Sequence, residues 1–430
     1  MERCVLSTLC LFIFLLVHQS QCTNKVIFIS FDGFRHDYLD MAKKYGRNIS
    51  AFEEIRSQGF QAKVNNVMVT LTFPSHYAMA TGRNVENHGL VGNHFYDPSM
   101  KKTYSYTNNY DNIEPEWFEY GGSEPIWATN ERHGHRSSVF EWVGSEARVN
   151  KRLAFATAGV YSTAYSLTYR IDRMLDWISS DDFNLAMLYY NQPDSAGHRY
   201  GPDSNEVMDA IELCNTGVSY LLERIKETPS LNGKTNLIIT SDHGMAQTNE
   251  KAWIVDVYSV IKDLDVILDE SPATLGIWPN GSTTVQEISE AIDKIKPGGF
   301  TKYMRDRIPD RYYFKNNPRI APIYLIADLG WMFKTTDSDY NHLYGMHGYD
   351  NEKPEMNPFM VASGPDIMQF SDRQSFNQID LYPLVCALLG LDKPNQIDGK
   401  IDRVLPFMKN PPSDSFVNQF RKYADGTLMP

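Results

Sequence analysis

The chain has 430 residues, a formal net charge of −12 and 42% hydrophobic residues, which is enough apolar material for one large domain or two ordinary ones. The acidic balance excludes a protein that binds nucleic acid through its phosphates, because no lysine- or arginine-rich block is present. The aromatic content of 13% excludes a disordered chain.

The first residues, "MERCVLSTLCLFIFLLVHQSQC", are typical of a secretory signal peptide. Their apolar run is too short to span a bilayer, and no second long apolar run follows. We therefore expect a signal peptide over residues 1–22 and a secreted, extracellular protein with no membrane span. The tripeptides "NIS" at Asn48 and "NGS" at Asn280 are predicted glycosylation sites. Whether Cys214 and Cys386 form a bridge is left open by the sequence.

Short apolar runs along the chain end at acidic residues. They are "KVIFISFD" at Asp32, "NLAMLYYNQPD" at Asp194, "TNLIITSD" at Asp242 and "PIYLIAD" at Asp328. Such runs predict strands buried on both faces of a mostly parallel sheet. Helices are expected over about 49–58, 74–81, 205–226, 284–295 and 378–390. This alternation predicts an α/β sandwich, in which ligands bind beyond the carboxyl ends of the strands.

The stretch "VTLTFPSHYAMATG" (69–82) places Thr72 at the predicted start of a helix, with Pro74 in its first turn. A hydroxyl there lies beside free backbone N–H groups, where a phosphate can bind. Taken alone, Thr72 is better explained as a helix cap. His76, one turn further on, is predicted to pack or to orient its neighbours.

Histidines accompany the strand-end carboxylates. "SDHG" adds His243 to Asp242, "PDSAGH" adds His198 four residues after Asp194, and "YGMHGYDN" adds His347. Mixed nitrogen and oxygen ligands suit zinc, and six such groups are too many for one open catalytic ion but fit two. Paired divalent ions stabilise displacement at phosphorus, and Thr72 is the candidate nucleophile.

The ordered segments "FDGFRHDYL", "TLTFPSHYAMATGRNVENHGLVGN", "PDSAGHRYGP", "ITSDHGM" and "HGYDN" resemble the ectonucleotide pyrophosphatase/phosphodiesterase family of the alkaline phosphatase superfamily. The resemblance runs from about Asn24 to about Phe407. It implies an alkaline-phosphatase-like sheet sandwiched by helices, with a covalent phosphothreonine formed at Thr72. The implied zinc ligands are Asp32, Thr72, Asp242 and His243 for one ion, and Asp194, His198 and His347 for the other.

The resemblance also suggests boundaries. We expect a signal peptide over 1–22, a phosphodiesterase catalytic domain over 23–410 and a C-terminal tail over 411–430. The stretches 100–180 and 250–345 are irregular and rich in Tyr, Trp, Gly and Pro, so they are predicted to be insertions that form the substrate wall.

The substrate is predicted from details of the pocket segments. Many family members have Asn where this chain has Ser75, and with "GSEPIWAT" this feature is similar to the alkaline sphingomyelinase branch. Predicted substrate-binding residues are Ser75, Asn93, Tyr104, Trp142 and Tyr189, with Tyr106 a further candidate, because aromatic rings can cage a choline group. The main expectation is hydrolysis of sphingomyelin and related choline phospholipids to phosphocholine and the lipid, presented in bile-salt or detergent micelles.

Three alternatives stay open. The same machinery would serve a nucleotide pyrophosphatase/phosphodiesterase. The fold would also serve a catalytically silent secreted binding glycoprotein. A phosphomonoesterase or sulfatase has less support, since "TFPSH" lacks the Arg of the sulfatase motif C/S-x-P-x-R.

Overall fold

The computed structural model describes residues 25–248, 253–337 and 343–430, so the predicted signal peptide lies outside the described residues. Its centre is an eight-stranded sheet. We number its strands in chain order as β1 (Lys25–Phe31), β2 (Phe60–Asn65), β3 (Arg136–Phe140), β4 (Ala156–Thr157), β5 (Phe183–Tyr190), β6 (Thr235–Thr240), β7 (Phe359–Ser363) and β8 (Gln374–Asn377).

The strand order across this sheet is β8-β2-β7-β6-β1-β5-β3-β4. Neighbouring strands run parallel except at β7, which is antiparallel to both β2 and β6. In the middle, β1 pairs in parallel with β5 on one side and β6 on the other. The predicted fold class, a mostly parallel sheet between helices, is confirmed.

Helices cover both faces of the sheet, which explains why its central strands are apolar throughout. In β1, Val26 and Phe28 belong to the core on one face, while Ile27 and Ile29 belong to the core on the other. The helices are Tyr38–Lys44, Ser50–Gln58, Thr72–Thr81, Val85–His88, Asn109–Ile113, Ile126–Arg132, Leu167–Ile178, Asp194–Tyr200, Asn205–Glu227, Tyr258–Ile261, Val285–Ile292, Leu381–Leu389, Ile401–Val404 and Asp414–Ala424. Short 3₁₀ turns are Pro115–Trp117, Tyr120–Gly122, Val149–Lys151, Arg305–Arg307, Asp310–Tyr312, Pro354–Met356, Gln378–Asp380 and Leu405–Phe407.

A separate antiparallel sheet lies in the stretch 250–345. Its strands, in spatial order, are Val266–Glu270, Thr274–Pro279, Ile323–Ala327 and Phe300–Met304. The run ending at Asp328 therefore belongs to this side sheet, and the expectation that it is a parallel strand of the main sheet is wrong. Short pairs are His94–Asp97 with Lys102–Ser105, Ala246–Gln247 with Gly345–Met346, and Ile254–Asp256 with Met332–Lys334.

The stretch 100–180 is only partly an insertion. Strand β3 pairs in parallel with β5 in the main sheet. Helix Leu167–Ile178 packs on this sheet through Ile171 and Met174, which are buried in the same core cluster as Ile27 and Ile29 of β1. Likewise the stretch 411–430 contains helix Asp414–Ala424, which buries Val417 and Phe420 in the core. Both segments thus contribute elements that pair with the main sheet or pack in the cores beside it.

Cys214 and Cys386 are both buried and both free. They lie on different helices and in different core clusters on the two faces of the sheet. The predicted glycosylation residues Asn48 and Asn280 are exposed. Among the described residues, the search for a helix long and apolar enough to cross a membrane finds none.

Candidate active site

Three carboxylates meet at the carboxyl ends of the central strands. Asp32 directly follows β1, and its main-chain oxygen accepts a hydrogen bond from the N–H of Asp194 at 2.9 Å. The N–H of Gly33 donates to Oδ1 of Asp242 at 3.0 Å. Gly33 has a φ of +66°, and a Cβ there would lie only 2.8 Å from the Cα of Asp194. Glycine is therefore required for the two chain segments to approach this closely.

Three histidines join these carboxylates, and one ring nitrogen of each is held by the main chain. The Nδ1 distances to carbonyl oxygens are 2.9 Å for His243 to Gly244, 2.8 Å for His198 to Gly345 and 2.9 Å for His347 to Thr70. A carbonyl can only accept, so each Nδ1 carries a hydrogen, and in the neutral form of each ring the lone pair lies on Nε2.

These Nε2 atoms face carboxylate oxygens. His243 Nε2 lies 3.1 Å from Asp242 Oδ2 and 3.4 Å from Asp32 Oδ1. The Nε2 atoms of His198 and His347 lie 3.3 Å and 3.7 Å from Asp194 Oδ1. A lone pair that faces an anionic oxygen is repelled unless a cation lies between them. In addition, Asp32 Oδ1, Asp194 Oδ1 and Asp242 Oδ2 are buried without any hydrogen-bond partner among the described residues.

The donors form two overlapping groups, each able to hold a metal ion. One consists of Asp32, Asp242 and His243, and the other of Asp194, His243 and His347; in each, the ligand atoms lie within 4.8 Å of one another. The structure thus brings together all six predicted side chains. His243 belongs to both groups. His198 belongs to neither, but it lies beside the second group, with its Nε2 3.3 Å from Asp194 Oδ1 and its ring centroid 5.1 Å from that of His347.

The electrostatics of the cluster agree with this fit. Burial, followed by the charges of Asp242 and Asp194, raises the pKa of Asp32 well above its ordinary value. Burial also acts to raise the pKa of Asp242, but His243 and His76 outweigh it and lower that pKa. Burial lowers the pKa of His347 well below its ordinary value, so this ring is neutral and can act as a ligand. Cations would relieve the excess of negative charge.

Thr72 lies at the edge of the cluster. It is the first residue of helix Thr72–Thr81, and the cap position belongs to the extended Leu71. The Thr72 hydroxyl lies 3.2 Å from His243 Nε2. In the next residue, the N–H of Phe73 donates to Oδ1 of Asn93 at 2.9 Å. A hydroxyl, a helix N-terminus and candidate metal ligands thus meet at one point.

His76 holds this helix from behind. Its Nδ1 donates to the main-chain oxygen of Thr72 at 2.8 Å, and its Nε2 lies 2.8 Å from the Ser30 hydroxyl. The ring is completely buried. It therefore fixes the main chain of Thr72 without reaching the cavity.

A cavity of about 810 Å³ opens in front of Thr72. Of the predicted substrate residues, Asn93, Trp142 and Tyr189 line it, and so does Tyr106. The hydroxyl of Tyr189 also donates to Asp32 Oδ2 at 2.5 Å, which joins the cavity wall to the cluster.

Ser75 and Tyr104 do not line the cavity, so their predicted contact with substrate is wrong. Both side chains are completely buried. The Ser75 hydroxyl is 3.3 Å from Asn66 Oδ1, because this residue faces inward from the helix. The Tyr104 hydroxyl donates to Asn112 Oδ1 at 2.7 Å, and its ring packs in the core.

The sequence interpretation missed other residues of the cavity wall. Phe73, Tyr161, Glu146 and Glu270 all line it, whereas no lysine or arginine does among the described residues. The Tyr161 side chain is 42% exposed, and its ring centroid lies 5.8 Å from that of Tyr189. Phe73 could have been found from its place beside Thr72. Tyr161 lies in a loop without periodicity, so no sequence pattern points to it.

Comparison with known proteins agrees with this description. A family model described as Type I phosphodiesterase / nucleotide pyrophosphatase matches residues 26–350. Human ectonucleotide pyrophosphatase/phosphodiesterase family member 5 is 38% identical over 374 residues, covering 86% of this chain and 75% of that protein. The bis(5'-adenosyl)-triphosphatase enpp4 of Xenopus laevis is 33% identical over 378 residues, covering 87% and 79%. Human family member 7 is 30% identical over 397 residues, covering 90% and 84%.

A solved structure shows the same architecture. Murine ectonucleotide pyrophosphatase / phosphodiesterase 5, in an inactive T72A form in complex with AMP, superposes with a TM-score of 0.82. It is 32% identical and covers 90% of this chain and 100% of its own. The fold and the site together define a hydrolase of phosphoric diesters in the alkaline phosphatase superfamily. The chain belongs to the ectonucleotide pyrophosphatase/phosphodiesterase family.

Proposed function

We propose that this protein is a secreted, two-zinc enzyme that hydrolyses phosphodiester or pyrophosphate bonds of nucleotides, with Thr72 as nucleophile. One observation carries the proposal: three imidazole lone pairs and three orphaned carboxylate oxygens converge beside a hydroxyl at a helix N-terminus. The donors are imidazole nitrogens and carboxylate oxygens, a combination that suits zinc.

Nucleotides are favoured over choline phospholipids by two kinds of support. First, a relative named as a bis(5'-adenosyl)-triphosphatase is 33% identical to this chain, and family members 5 and 7, both named as ectonucleotide pyrophosphatase/phosphodiesterases, are 38% and 30% identical. Second, the rings of Phe73 and Tyr161 both line the cavity, and such rings can stack on a nucleobase. The murine relative binds AMP in its structure. These comparisons support the alternative interpretation of the sequence better than the sphingomyelin interpretation.

The residues define the course of the reaction. Bound divalent ions supply Lewis-acid stabilisation of charge on the phosphoryl oxygens. The Thr72 oxygen bonds to phosphorus, its proton is lost to solvent, and the bond from phosphorus to the leaving oxygen breaks. Water then attacks phosphorus, the bond from phosphorus to Thr72 breaks, and the threonine regains a proton.

Other groups position the phosphoryl oxygens. Asn93 accepts from the N–H of Phe73, which fixes its amide plane and leaves its Nδ2 hydrogens as donors at the cavity wall. The positive end of helix Thr72–Thr81 lies at the same point and favours an anionic group there. His76 holds the Thr72 carbonyl, so the hydroxyl keeps its direction.

A substrate panel tests the proposal. Purified protein is assayed on diadenosine triphosphate, on the p-nitrophenyl ester of thymidine 5'-phosphate, and on sphingomyelin in bile-salt micelles. We expect turnover of the two nucleotides to exceed that of sphingomyelin by at least tenfold in kcat/KM. Dominant turnover of sphingomyelin would restore the choline phospholipid interpretation. No turnover of any diester, with bound metal verified by elemental analysis, would favour the catalytically silent binding glycoprotein.

Secretion and glycosylation belong to the same proposal. Asn48 and Asn280 are both exposed, so a glycosyltransferase can reach them. When the protein is expressed in an animal cell line that secretes proteins, it should be found in the culture medium, and its mass should fall after deglycosylation. The double variant Asn48→Gln/Asn280→Gln should show no such mass change; an unchanged mass in the parent protein would contradict the proposal.

A further inference from the structure

The loop that carries Tyr161 is held by two glutamates of one neighbouring segment. The N–H of Tyr161 donates to Glu146 Oε1 at 3.0 Å, and the N–H of Ser162 donates to Glu141 Oε1 at 2.9 Å. The loop lies between β4 and helix Leu167–Ile178 and has no secondary structure of its own. Two successive main-chain groups are thus fixed from the same side.

Arg170 completes this attachment from the following helix. Its guanidinium donates to the main-chain oxygens of Ser162 at 2.7 Å, Tyr165 at 3.1 Å and Tyr189 at 3.3 Å. It also forms an ion pair with Glu141, and both side chains of that pair are completely buried. We call Glu141, Glu146 and Arg170 the loop clasp.

The clasp joins the Tyr161 loop to the end of β5. Arg170 bonds to the carbonyl of Tyr189, whose ring lies 5.8 Å from that of Tyr161. The Arg170 guanidinium carbon lies 5.9 Å from the centroid of the Tyr161 ring. Arg170 itself does not line the cavity, so any effect on a ligand must pass through the residues that it holds.

The energetics favour a positioning role. A buried ion pair is costly to desolvate and is a poor means of stabilising a fold compared with apolar residues of similar volume. In the clasp, however, the charges bind several main-chain groups of one loop at once. Such an arrangement fixes the loop geometry, which is the requirement for a ring that must stack on a ligand.

We propose that the loop clasp is a positioning device that holds the Tyr161 ring against the nucleoside of the substrate and so determines recognition of the nucleoside. The inference rests on the proposed nucleotide function. It assigns Glu141 and Arg170 to substrate affinity, and it leaves the chemistry at Thr72 to the metal-site residues.

The test compares two esters with the same leaving group. One is the p-nitrophenyl ester of thymidine 5'-phosphate, and the other is methyl p-nitrophenyl phosphate, which has no nucleoside. One variant is Arg170→Lys, which keeps the positive charge but loses the planar guanidinium that donates to three main-chain carbonyl groups. Another is Glu146→Ala, which frees the Tyr161 N–H without burying an unpaired charge. Arg319→Lys is the matched control, since Arg319 also forms a buried ion pair, with Asp97, and also donates to main-chain carbonyls, outside the cavity.

We expect the KM of the thymidine ester to rise about tenfold in Arg170→Lys and about threefold in Glu146→Ala, in line with the loss of one stacked base. The kcat/KM for the methyl ester should stay within about twofold of wild type in Arg170→Lys, as should all parameters of Arg319→Lys. Because Glu146 lines the cavity, Glu146→Ala is compared with Glu146→Gln, which removes only the charge and keeps an acceptor for the Tyr161 N–H; the rise in KM should occur in the alanine variant alone. Thermal unfolding measures whether each variant is folded. If Arg170→Lys is unfolded, the variants at Glu146 decide the test.

Three results would overturn the clasp inference while wild type hydrolyses the thymidine ester normally. They are an unchanged KM in the variants, an equal loss on both esters, and an equal effect in Arg319→Lys. Failure of wild type on the thymidine ester, with good turnover of the methyl ester, would instead overturn the proposed nucleotide function together with this inference.

Discussion

The hydroxyl oxygen of Thr72 lies 3.2 Å from Nε2 of His243, although 171 positions separate the two residues along the chain. Thr72 begins a helix on one face of the sheet, and His243 follows the central strand β6. The contact places the proposed nucleophile beside the imidazole that both candidate metal groups share. The predictions below depend on this arrangement.

Removal of the Thr72 hydroxyl should abolish turnover. In Thr72→Ala we expect kcat for the thymidine ester to fall by about 10³-fold or more, because the variant lacks the oxygen that would bond to phosphorus. Thr72→Ser keeps the hydroxyl and should lose no more than about tenfold. Thr301→Ala, at an exposed position of the side sheet, is the control and should match wild type. Substantial turnover by Thr72→Ala would show that Thr72 is not the nucleophile.

Metal content should depend more on His243 than on His198. His243 belongs to both candidate groups, so His243→Ala should lower the content from about two ions per chain to less than one. His198 belongs to neither candidate group and faces only the carboxylate of Asp194 with its Nε2, so His198→Ala should retain at least one ion. Elemental analysis of dialysed protein measures both. Equal losses in the two variants would contradict the shared-ligand arrangement.

Gly33 should be irreplaceable for a steric reason. In Gly33→Ala, the left-handed backbone costs about 1–2 kcal/mol, and the new Cβ meets the Asp194 backbone. We expect lower stability and a large loss of kcat. Gly46→Ala is the matched control: its φ is +74°, but nothing lies within 4 Å of the added carbon. This control should lose stability only, as measured by thermal unfolding and by turnover of the thymidine ester.

Stability should depend on pH through Glu146. Burial, with a smaller contribution from the charge of Glu141, raises its pKa to about 7, although the hydrogen bond from the Tyr161 N–H acts to lower it. The folded protein therefore binds this proton more tightly than the unfolded chain, so the contribution to stability is complete below about pH 4.5 and falls as pH rises through 7.

The variant Glu146→Gln lacks this titration. Between pH 5 and pH 8 its melting temperature should rise relative to that of wild type, by no more than about 2 °C because Glu146 is partly exposed to solvent. Differential scanning fluorimetry at matched ionic strength measures the difference. A constant difference across this range would show that Glu146 has an ordinary pKa.

The main sheet was predictable because its central strands have a simple physical signature. The alternate residues of β1 pack into two different cores, so the whole strand is apolar and stands out in the sequence. The run before Asp328 has the same composition, yet it forms a strand of the antiparallel side sheet. An apolar composition indicates that both faces of a strand are buried, but it does not indicate whether the strand belongs to the main sheet or to the side sheet.

The candidate metal ligands were easier to predict from the sequence than the residues of the substrate wall. Strand ends converge by topology, so the carboxylates and histidines could be named from their positions after apolar runs. The substrate wall depends on which way individual side chains point. Ser75 and Phe73 differ by two positions on one helix, and the first faces Asn66 while the second lines the cavity. Tyr161 is placed by contacts with residues that a linear pattern does not connect to it.

The hydrogen bonds around Thr70 tie His347 to the segment that leads into Thr72. Thr70 accepts from His347 Nδ1, and its hydroxyl bonds to the N–H of Gly348 and the carbonyl of Tyr349. Thr70 and His347 are 277 positions apart along the chain. The cluster can therefore form only after most of the chain has been synthesised, and a fragment that ends before His347 would retain Thr72 but lack one of the six candidate metal ligands.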